Sequence, residues 1–308
     1  MKPRTPCVAV LGSINIDLVV GCTSLPRPGE TILASSFAEV SGGKGANQAV
    51  AASRLGAHVT MIGRVGDDAY ADRLLEGLAS ENLDTSHVLR TGNCASGMAI
   101  VAVEQSGENS IIVLPGANDH ITEADVELAA EAISKCDALL VQLEIPYAAV
   151  AAAIATTRRY GVLTILDPAP VSAPLAKDLL NIDVVCPNKT EAAILLGQPI
   201  DSRSDALQAA SQLRRMGPRI AIITMGSEGA AYSDSDRTLW FDSFPVEAVD
   251  TTAAGDAFAA AMAVYLAQRA ALDEAIKFAC AAGALTATRT GAQPSLPRRD
   301  EVEALLAN

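Results

Sequence analysis

Short, continuously apolar runs alternate along this chain with longer stretches whose apolar residues recur at helical spacing. CVAVLG (7–12) and VTMIGRVG (59–66) read as buried strands, and so do DALLVQLE (137–144), VLTILD (162–167), DVVCPN (183–188) and RIAIITMG (219–226). Between them lie predicted helices at 44–56, closed by Gly56, and at 68–82. Others follow at 121–135, 146–160, about 189–197 and 203–216. In the first of these Thr122 is placed to cap, with Glu123 and Asp125 in the first turn. Pro146 suits the first position of the next. Two Ala-rich helices, 255–269 and 272–288, occupy the last third, before a turn and a short terminal helix. Strand–helix alternation with unbroken apolar strands predicts an α/β fold, with a mainly parallel sheet covered on both faces.

Two regions break this rhythm. Residues 17–41 and 94–114 alternate in polarity without a helix, and MAIVAVEQSGENSIIVL (98–114) reads as a hairpin turning at Ser106-Gly107-Glu108-Asn109. These regions are expected to pair as a small separate sheet. Its apolar face must cover a substrate pocket, a partner subunit, or both.

With 308 residues the chain is long enough for two domains or for one α/β domain, and it carries no internal repeat or long linker. Half the residues are apolar but only 4% are aromatic, so the expected core is Ala, Val, Leu and Ile. A net charge of −13 argues against nucleic-acid and anionic-membrane partners, and obliges any bound polyphosphate to find local cations or a metal. The six cysteines show no C-x-x-C spacing and the three histidines are scattered, so buried reduced thiols are expected and not a zinc site. MKPRTP precedes too short an apolar run for a signal peptide, and Glu131, Lys135, Asp137, Glu144 and Pro146 interrupt 126–156, so no membrane span is expected. The cytoplasm is the default location.

The densest chemical signal is DTTAAGDAF (250–258). Ala253, Ala254 and Gly255 let a phosphate approach the backbone at a helix start, where free N–H groups and the dipole favour an anion. Asp256 stands beside that seat and can accept the proton of an attacking hydroxyl; the plainer reading is a capped helix with an acid in its first turn. SGGKGANQA (41–49) is no P-loop, since Ala38 stands where the first glycine belongs and Gly45 follows the lysine. It is either a flexible turn into a helix, or a site where Gly43 and Gly45 bring the backbone to a polar ligand that Lys44 and Asn47 face together. GSINID (12–17) replaces the dinucleotide fingerprint. Its Asn15 and Asp17 point one way from an extended chain, as an Asx turn or as acceptors for sugar hydroxyls. Glu144 ends a strand, as sheet rim or ligand contact. Asn188 and Glu191 form either a capping box or a pair that orients water on Mg²⁺. Thr224, Gly226, Ser227 and Gly229 suit a β-turn or the phosphate and ribose of a nucleotide.

Together these motifs, from GSINID to GAQPS (291–295), resemble the ribokinase-like sugar kinase family nearly end to end. The resemblance implies a three-layer α/β/α domain spanning 1–308 with a β-sheet lid, often a homodimer joined through the lids. It implies ATP-dependent phosphorylation of the 5-hydroxyl of D-ribose. By resemblance, Asn15, Asp17, Gly43, Lys44, Gly45, Asn47 and Glu144 would hold the sugar, and Asp256 would be the base. Ala253, Ala254 and Gly255 would form the anion hole. Asn188, Thr224, Gly226, Ser227, Gly229 and Gly255 would line the ATP site, with Asn188 and Glu191 toward magnesium. Asp250, Thr252, Thr286, Arg289, Gly291 and Ser295 would surround a potassium ion. Cys280 departs from the pattern, standing where relatives often carry a polar residue near adenine.

The implied chemistry is in-line transfer of the γ-phosphoryl group, carried by positioning and charge neutralisation, with Lys44 or Arg289 as local cation and Asp256 taking the proton late. Rival acceptors are deoxyribose, a ketohexose or a nucleoside. A non-catalytic sugar-binding regulator would have lost Asp256 or Gly255, and both are present.

Overall fold

A computed structural model describes residues 4–104, 109–171 and 173–307. The first third runs β1 (Cys7–Leu11), β2 (Asn15–Cys22), β3 (Ser36–Gly42), α1 (Lys44–Arg54), β4 (His58–Val65), α2 (Ala69–Ser80), β5 (Asp84–Arg90), β6 (Gly97–Glu104) and β7 (Asn109–Leu114). Then come α3 (Glu123–Leu128), α4 (Ala130–Lys135), β8 (Ala138–Val141), α5 (Tyr147–Tyr160), β9 (Leu163–Leu166), β10 (Val184–Val185), α6 (Lys189–Leu196) and α7 (Arg203–Arg215). The chain finishes with β11 (Ile220–Thr224), β12 (Gly229–Ser233), β13 (Thr238–Asp242), α8 (Ala254–Ala267), α9 (Leu272–Thr286) and α10 (Arg299–Ala307).

Nine strands form one sheet in the order β13-β12-β11-β10-β9-β8-β1-β4-β5. Pairing is parallel from β5 to β11, and antiparallel only where β12 meets β11 and β13. The pleat explains the unbroken apolar strands. Val8 and Val10 of β1 join the core under α1, α8 and α9, while Ala9 and Leu11 join the core under α3, α4 and α5. This is the three-layer α/β/α arrangement. As expected from composition, the buried set is dominated by Ala, Val, Leu and Ile. Alanines along α8 and α9, among them Ala257, Ala260, Ala261, Ala275, Ala279 and Ala282, are fully buried, which lets these two helices pack closely.

The two rhythm-breaking regions do pair, as a second sheet ordered β3-β2-β6-β7. β2 is antiparallel to β3 and parallel to β6, with Asn15 opposite Gly97 and Asp17 opposite Ala99. The expected hairpin turn falls mostly on 105–108, outside the described residues; Asn109 begins β7. Phe37, Ile111 and Ile112 of this sheet are more than half exposed.

Several expectations needed correction. The helix foreseen at 121–135 is two helices broken at Ala129, although Thr122 and Asp125 do form the capping box. Pro146 caps α5 from outside, in extended conformation, and is not its first helical residue. Strands β5, β12 and β13 were not foreseen; all three lie at or next to sheet edges. Among the described residues, no helix is long and apolar enough to cross a membrane.

Candidate active site

The carboxyl ends of β1, β8 and β9, the start of α1 and the start of α8 converge beneath β2 of the small sheet. Asp256 sits in the first turn of α8, 4% exposed. Its Oδ2 accepts from the Asn47 side-chain amide at 3.0 Å and its Oδ1 from Gln48 at 3.1 Å. Both donors come from α1, one turn after the glycine motif. Gln48 also donates to Asp167 Oδ2 at 2.8 Å, and Gln142 donates to Gln48 Oε1 at 2.5 Å, which fixes the Gln48 amide with its N–H₂ toward the two acids. The Lys44 ammonium lies 3.9 Å from Asp167 Oδ2.

Each glycine of the α1 motif has its own reason. Gly43 adopts φ 88, and a Cβ there would stand 2.8 Å from the Asn15 nitrogen. At Gly42 a Cβ would stand 2.1 Å from Asp17 Oδ2. Gly45, read as a ligand contact, is instead a packing residue: it is buried, its Cβ would collide with the Gly12 and Ser13 backbone, and its N–H donates to Ser13 Oγ at 3.3 Å. Glu144 lies just beyond β8 and accepts from Ser13 Oγ at 2.5 Å and from the Lys44 N–H at 3.2 Å, so it secures the start of α1. Asn15 and Asp17 do not merely follow β1; they open β2 and thus belong to the small sheet. Asn15 Oδ1 accepts from Asn118 at 2.7 Å. Asp17 Oδ1, Asn47 Oδ1 and Gln142 Oε1 are buried and have no protein partner. Unpaired buried acceptors at Asp17 and Asn47 are what a hydroxylated ligand would satisfy.

Electrostatically the site is a crowd of acids around one lysine. Burial, then Glu144 and Asp256, push the Asp17 carboxyl up to about 7. Burial pushes Asp167 up to about 7 against the pull of Lys44. Asp256 is raised mainly by burial, opposed by Lys44, Asn47 and Gln48. For Lys44, burial alone would lower the ammonium, but Asp167, Asp256, Glu144 and Glu191 together hold it above the ordinary lysine range.

The start of α8 falls where the sequence expects an anion seat, at Ala253–Asp256. Ala253, at the cap, adopts the left-handed region at φ 61, uncommon for alanine. The Ala254 N–H is engaged by the Thr251 carbonyl at 3.2 Å, so it is not free for a phosphate in this conformation. The N–H groups of Gly255 and Asp256 have no acceptor within the helix. Gly255 is exposed, and a Cβ there would meet nothing within 4 Å. Neither backbone conformation nor protein packing demands glycine at 255, and the space beside it is open.

That space opens into a cavity of about 250 Å³. Thr224, Gly226, Ser227, Gly229, Ala254, Gly255 and Cys280 line it, as do Phe244, Val246 and Phe258, which were not foreseen. Cys280 presents a thiol to this largely apolar wall; burial pushes that thiol up to about 12. Asn188 and Glu191 are not in the lining. Asn188 pairs with the Thr224 backbone, and its side chain accepts from the Thr190 and Glu191 N–H groups while Glu191 Oε2 accepts from the Asn188 N–H. The capping box is therefore the role seen, although the Glu191 carboxyl, raised by burial, still interacts with Lys44 and Asp256.

Of the residues expected around a monovalent cation, Asp250 ties two loops together. Its Oδ1 accepts from Thr252 N at 2.9 Å and Thr252 Oγ1 at 2.6 Å, and its Oδ2 from Gly291 N at 2.8 Å. These bonds outweigh burial and hold its carboxyl below the ordinary aspartate value. Thr286 and Ser295 are buried, with hydroxyls bound to the Ala282 and Ala292 carbonyls. The Arg289 guanidinium, expected as a cation for phosphate, is paired with Glu301 at 2.5 Å, which leaves Lys44 as the cation of the site. Among the described residues, no cluster of three or more His, Cys, Asp or Glu is arranged to hold a metal ion.

Residues not foreseen are Ser13, Gln48, Asn118, Gln142 and Asp167. Asp167 carried a usable signal, since it ends an apolar strand as Glu144 nearly does.

Residues 6–299 match the model of the pfkB family of carbohydrate kinases. The chain is similar to a ribokinase of Haemophilus influenzae, 40% identical over 96% of both chains. It is also similar to a deoxyribokinase of Salmonella typhi, 36% identical over 97% of this chain and 98% of that one. Among solved structures it resembles Arabidopsis thaliana ribokinase complexed with ribose and ATP, with a TM-score of 0.90 and 32% identity over 99% of this chain and all of that one.

Proposed function

We propose that this chain, which belongs to the pfkB family of carbohydrate kinases, transfers the γ-phosphoryl group of ATP to the 5-hydroxyl of D-ribose. The observation that carries the reading is Asp256. It is a buried carboxylate, anchored through both oxygens by α1 and adjacent to the open helix start at Gly255.

Adenine and ribose of the nucleotide occupy the cavity between Phe244, Phe258 and Cys280, with the phosphates toward Thr224, Gly226, Ser227 and Gly255. The acceptor sugar lies beneath β2, where Asn15, Asp17, Gly43, Asn47 and Glu144 converge and the unpaired Asp17 and Asn47 oxygens await hydroxyl donors. Asp256 accepts the hydroxyl proton as the O–P bond forms. Its raised pKa makes it a stronger base than an exposed carboxylate, and such assistance is worth about 10²–10⁴-fold. N–H groups at the start of α8 and the Lys44 ammonium neutralise charge on the transferring group.

Asp167, Asp256, Glu144 and Glu191 crowd the Lys44 ammonium with excess negative charge, which would favour a hydrated Mg²⁺ arriving on the nucleotide phosphates, while among the described residues no three acids are arranged to hold the ion by themselves. In this reading Asn188 and Glu191, beyond their capping role, would stand toward the ion, and it would supply charge neutralisation on the nucleotide phosphates. The loops joined by Asp250 hold K⁺ in this reading. The small sheet acts as a lid over the sugar, formed by about 17–41 and 94–114, and its exposed Phe37, Ile111 and Ile112 support a homodimer joined there. The free state of all six thiols supports a cytoplasmic location.

A second reading keeps the chemistry and changes the acceptor to 2-deoxyribose, since one similar relative is a deoxyribokinase. ADP release with D-ribose against 2-deoxyribose, with and without K⁺, separates the two. Turnover with neither sugar overturns both.

A further inference from the structure

The amino end of the central sheet, opposite the carboxyl-end site, carries a pair of sulfur atoms. Cys7 is the first residue of β1, and Cys136 closes α4 just ahead of the neighbouring β8. Their Sγ atoms are 3.0 Å apart. The backbone clamps both: Asp137 N–H donates to the Cys7 carbonyl at 2.8 Å, and the Cys7 N–H donates to Asp137 Oδ2 at 2.9 Å. Arg4 lies over them, with its guanidinium on both Asp137 oxygens at 2.6 and 2.7 Å. Cys7 is partly exposed and Cys136 is buried. The other four thiols make no such contact; Cys22 and Cys94 face the carbonyls of Val103 and Ala95, while Cys186 and Cys280 are buried.

We propose that Cys7 and Cys136 form a reversible peroxide-oxidised disulfide site, with Cys7 as the attacking thiol and Cys136 as the resolving one. The Cys7 thiolate attacks one oxygen of hydrogen peroxide, the O–O bond breaks, and Cys7 sulfenic acid and hydroxide form. The Cys136 sulfur then attacks the Cys7 sulfur. The S–S bond forms, the S–O bond breaks, and the hydroxyl leaves as water with the Cys136 proton. Two thiols lose two electrons and one peroxide gains them, giving two waters; a dithiol reductant reverses the change. Accessibility assigns the roles, because Cys7 is the more exposed of the two and Cys136 is buried. The acidities agree: the hydrogen bond from Cys136 lowers the Cys7 thiol, opposed by burial and by Asp137 and helped by Arg4. The Cys136 thiol is raised by the same bond and by burial.

The bridge would tie β1 to the segment entering β8 across a long loop, which restricts the unfolded chain. Five strand residues, about 17 Å, separate Cys7 from the site beyond β1, so catalysis should not notice the change.

The test uses the full chain with one equivalent of hydrogen peroxide. The expected result is loss of two of the six free thiols, a Cys7–Cys136 linked peptide in a non-reducing digest, a higher melting temperature and unchanged turnover. With dimedone present, Cys136→Ser should trap sulfenic acid at Cys7, and Cys7→Ser should leave Cys136 unlabelled. Cys7→Ala gives the same readout should the serine variant fold poorly. Absence of the linked peptide, or dimedone shared equally with Cys94, overturns the proposal.

Discussion

Gln48 donates one side-chain N–H to Asp256 Oδ1 at 3.1 Å, and that amide cannot turn, because Gln142 holds its carbonyl oxygen at 2.5 Å. A buried amide therefore opposes the upward push of burial on the base. Replacing Gln48 by Leu removes this bond to the charged form, a loss of about 1.5–3 kcal/mol in such settings. The Asp256 carboxyl then rises further. Because the deprotonated form is the active one, the acid-side inflection of kcat/KM moves to higher pH. A pH–rate profile with unaltered inflection would remove Gln48 from the catalytic account.

Asp256→Asn preserves the size of the side chain and its place in the first turn of α8, but it cannot take a proton. Turnover should fall about 10²–10⁴-fold while ATP affinity and melting temperature stay near wild type. Single-turnover kinetics together with nucleotide titration check this. Substantial residual activity would show that proton acceptance lies elsewhere.

At Gly255 the open space is a diagnostic. A Cβ meets nothing in the protein, and alanine in a helix costs the chain less than glycine, so Gly255→Ala should fold with equal or slightly greater stability. The added methyl projects where the phosphate must come. The expected result is a melting temperature equal to or above wild type, with kcat/KM for ATP reduced at least tenfold. If ATP kinetics are unchanged, the start of α8 is not the phosphate seat.

Much of this was legible in the chain, and the remainder had physical reasons for staying hidden. DTTAAGDAF and GGKGANQ are local, so glycine placement, helix start and carboxylate could be read from a few neighbouring residues. Gln48, Gln142 and Asp167 gain their role only when α1, β8 and β9 meet, and nothing in periodicity pairs a glutamine in a helix with acids more than a hundred residues away. Arg289 and Gly45 misled for the same reason, since Glu301 and the Gly12 backbone claim them only in the fold. Strand β12, GAAYS, is fully buried yet made mostly of Ala and Gly, so it carries no period-two signal. Strand β5, DTSHVLR, lies at the sheet edge and is too polar to declare itself.

Asp17 ties pH to stability. Its carboxyl rises from 3.8 in the ordinary state to about 7 in the fold, as does Asp167. An acid raised on folding binds its proton more tightly in the native chain. Its contribution is therefore fully present below about 4 and is lost as pH rises through about 7. Without ligand, the melting temperature should fall between pH 5 and pH 8. Asp17→Asn should flatten that decline and raise stability at pH 8, while weakening sugar binding by about 1.5–3 kcal/mol, the usual cost of losing a hydrogen bond to a charged acceptor. Differential scanning fluorimetry with and without ribose reads both effects. A variant that melts lower at pH 8, or binds ribose as before, contradicts the assignment.

Asp250 carries a negative charge that, among the described residues, no lysine or arginine pairs with. Its partners are the Thr252 and Gly291 N–H groups and the Thr252 hydroxyl, so it stitches the 250–252 turn to the 289–295 loop by dipoles alone. Thr252 immediately precedes Ala253, whose left-handed backbone sets the angle at which α8 begins. A cation between these loops would relieve the charge and stiffen the turn without touching substrate. K⁺ should therefore raise kcat more than Na⁺ does, and should raise the melting temperature of the wild type. In Asp250→Asn both responses should vanish while the Asp256 contacts remain. Equal rates and equal melting temperatures in the two salts would show that the turn needs no cation, and that Asp250 serves only as the knot between the loops.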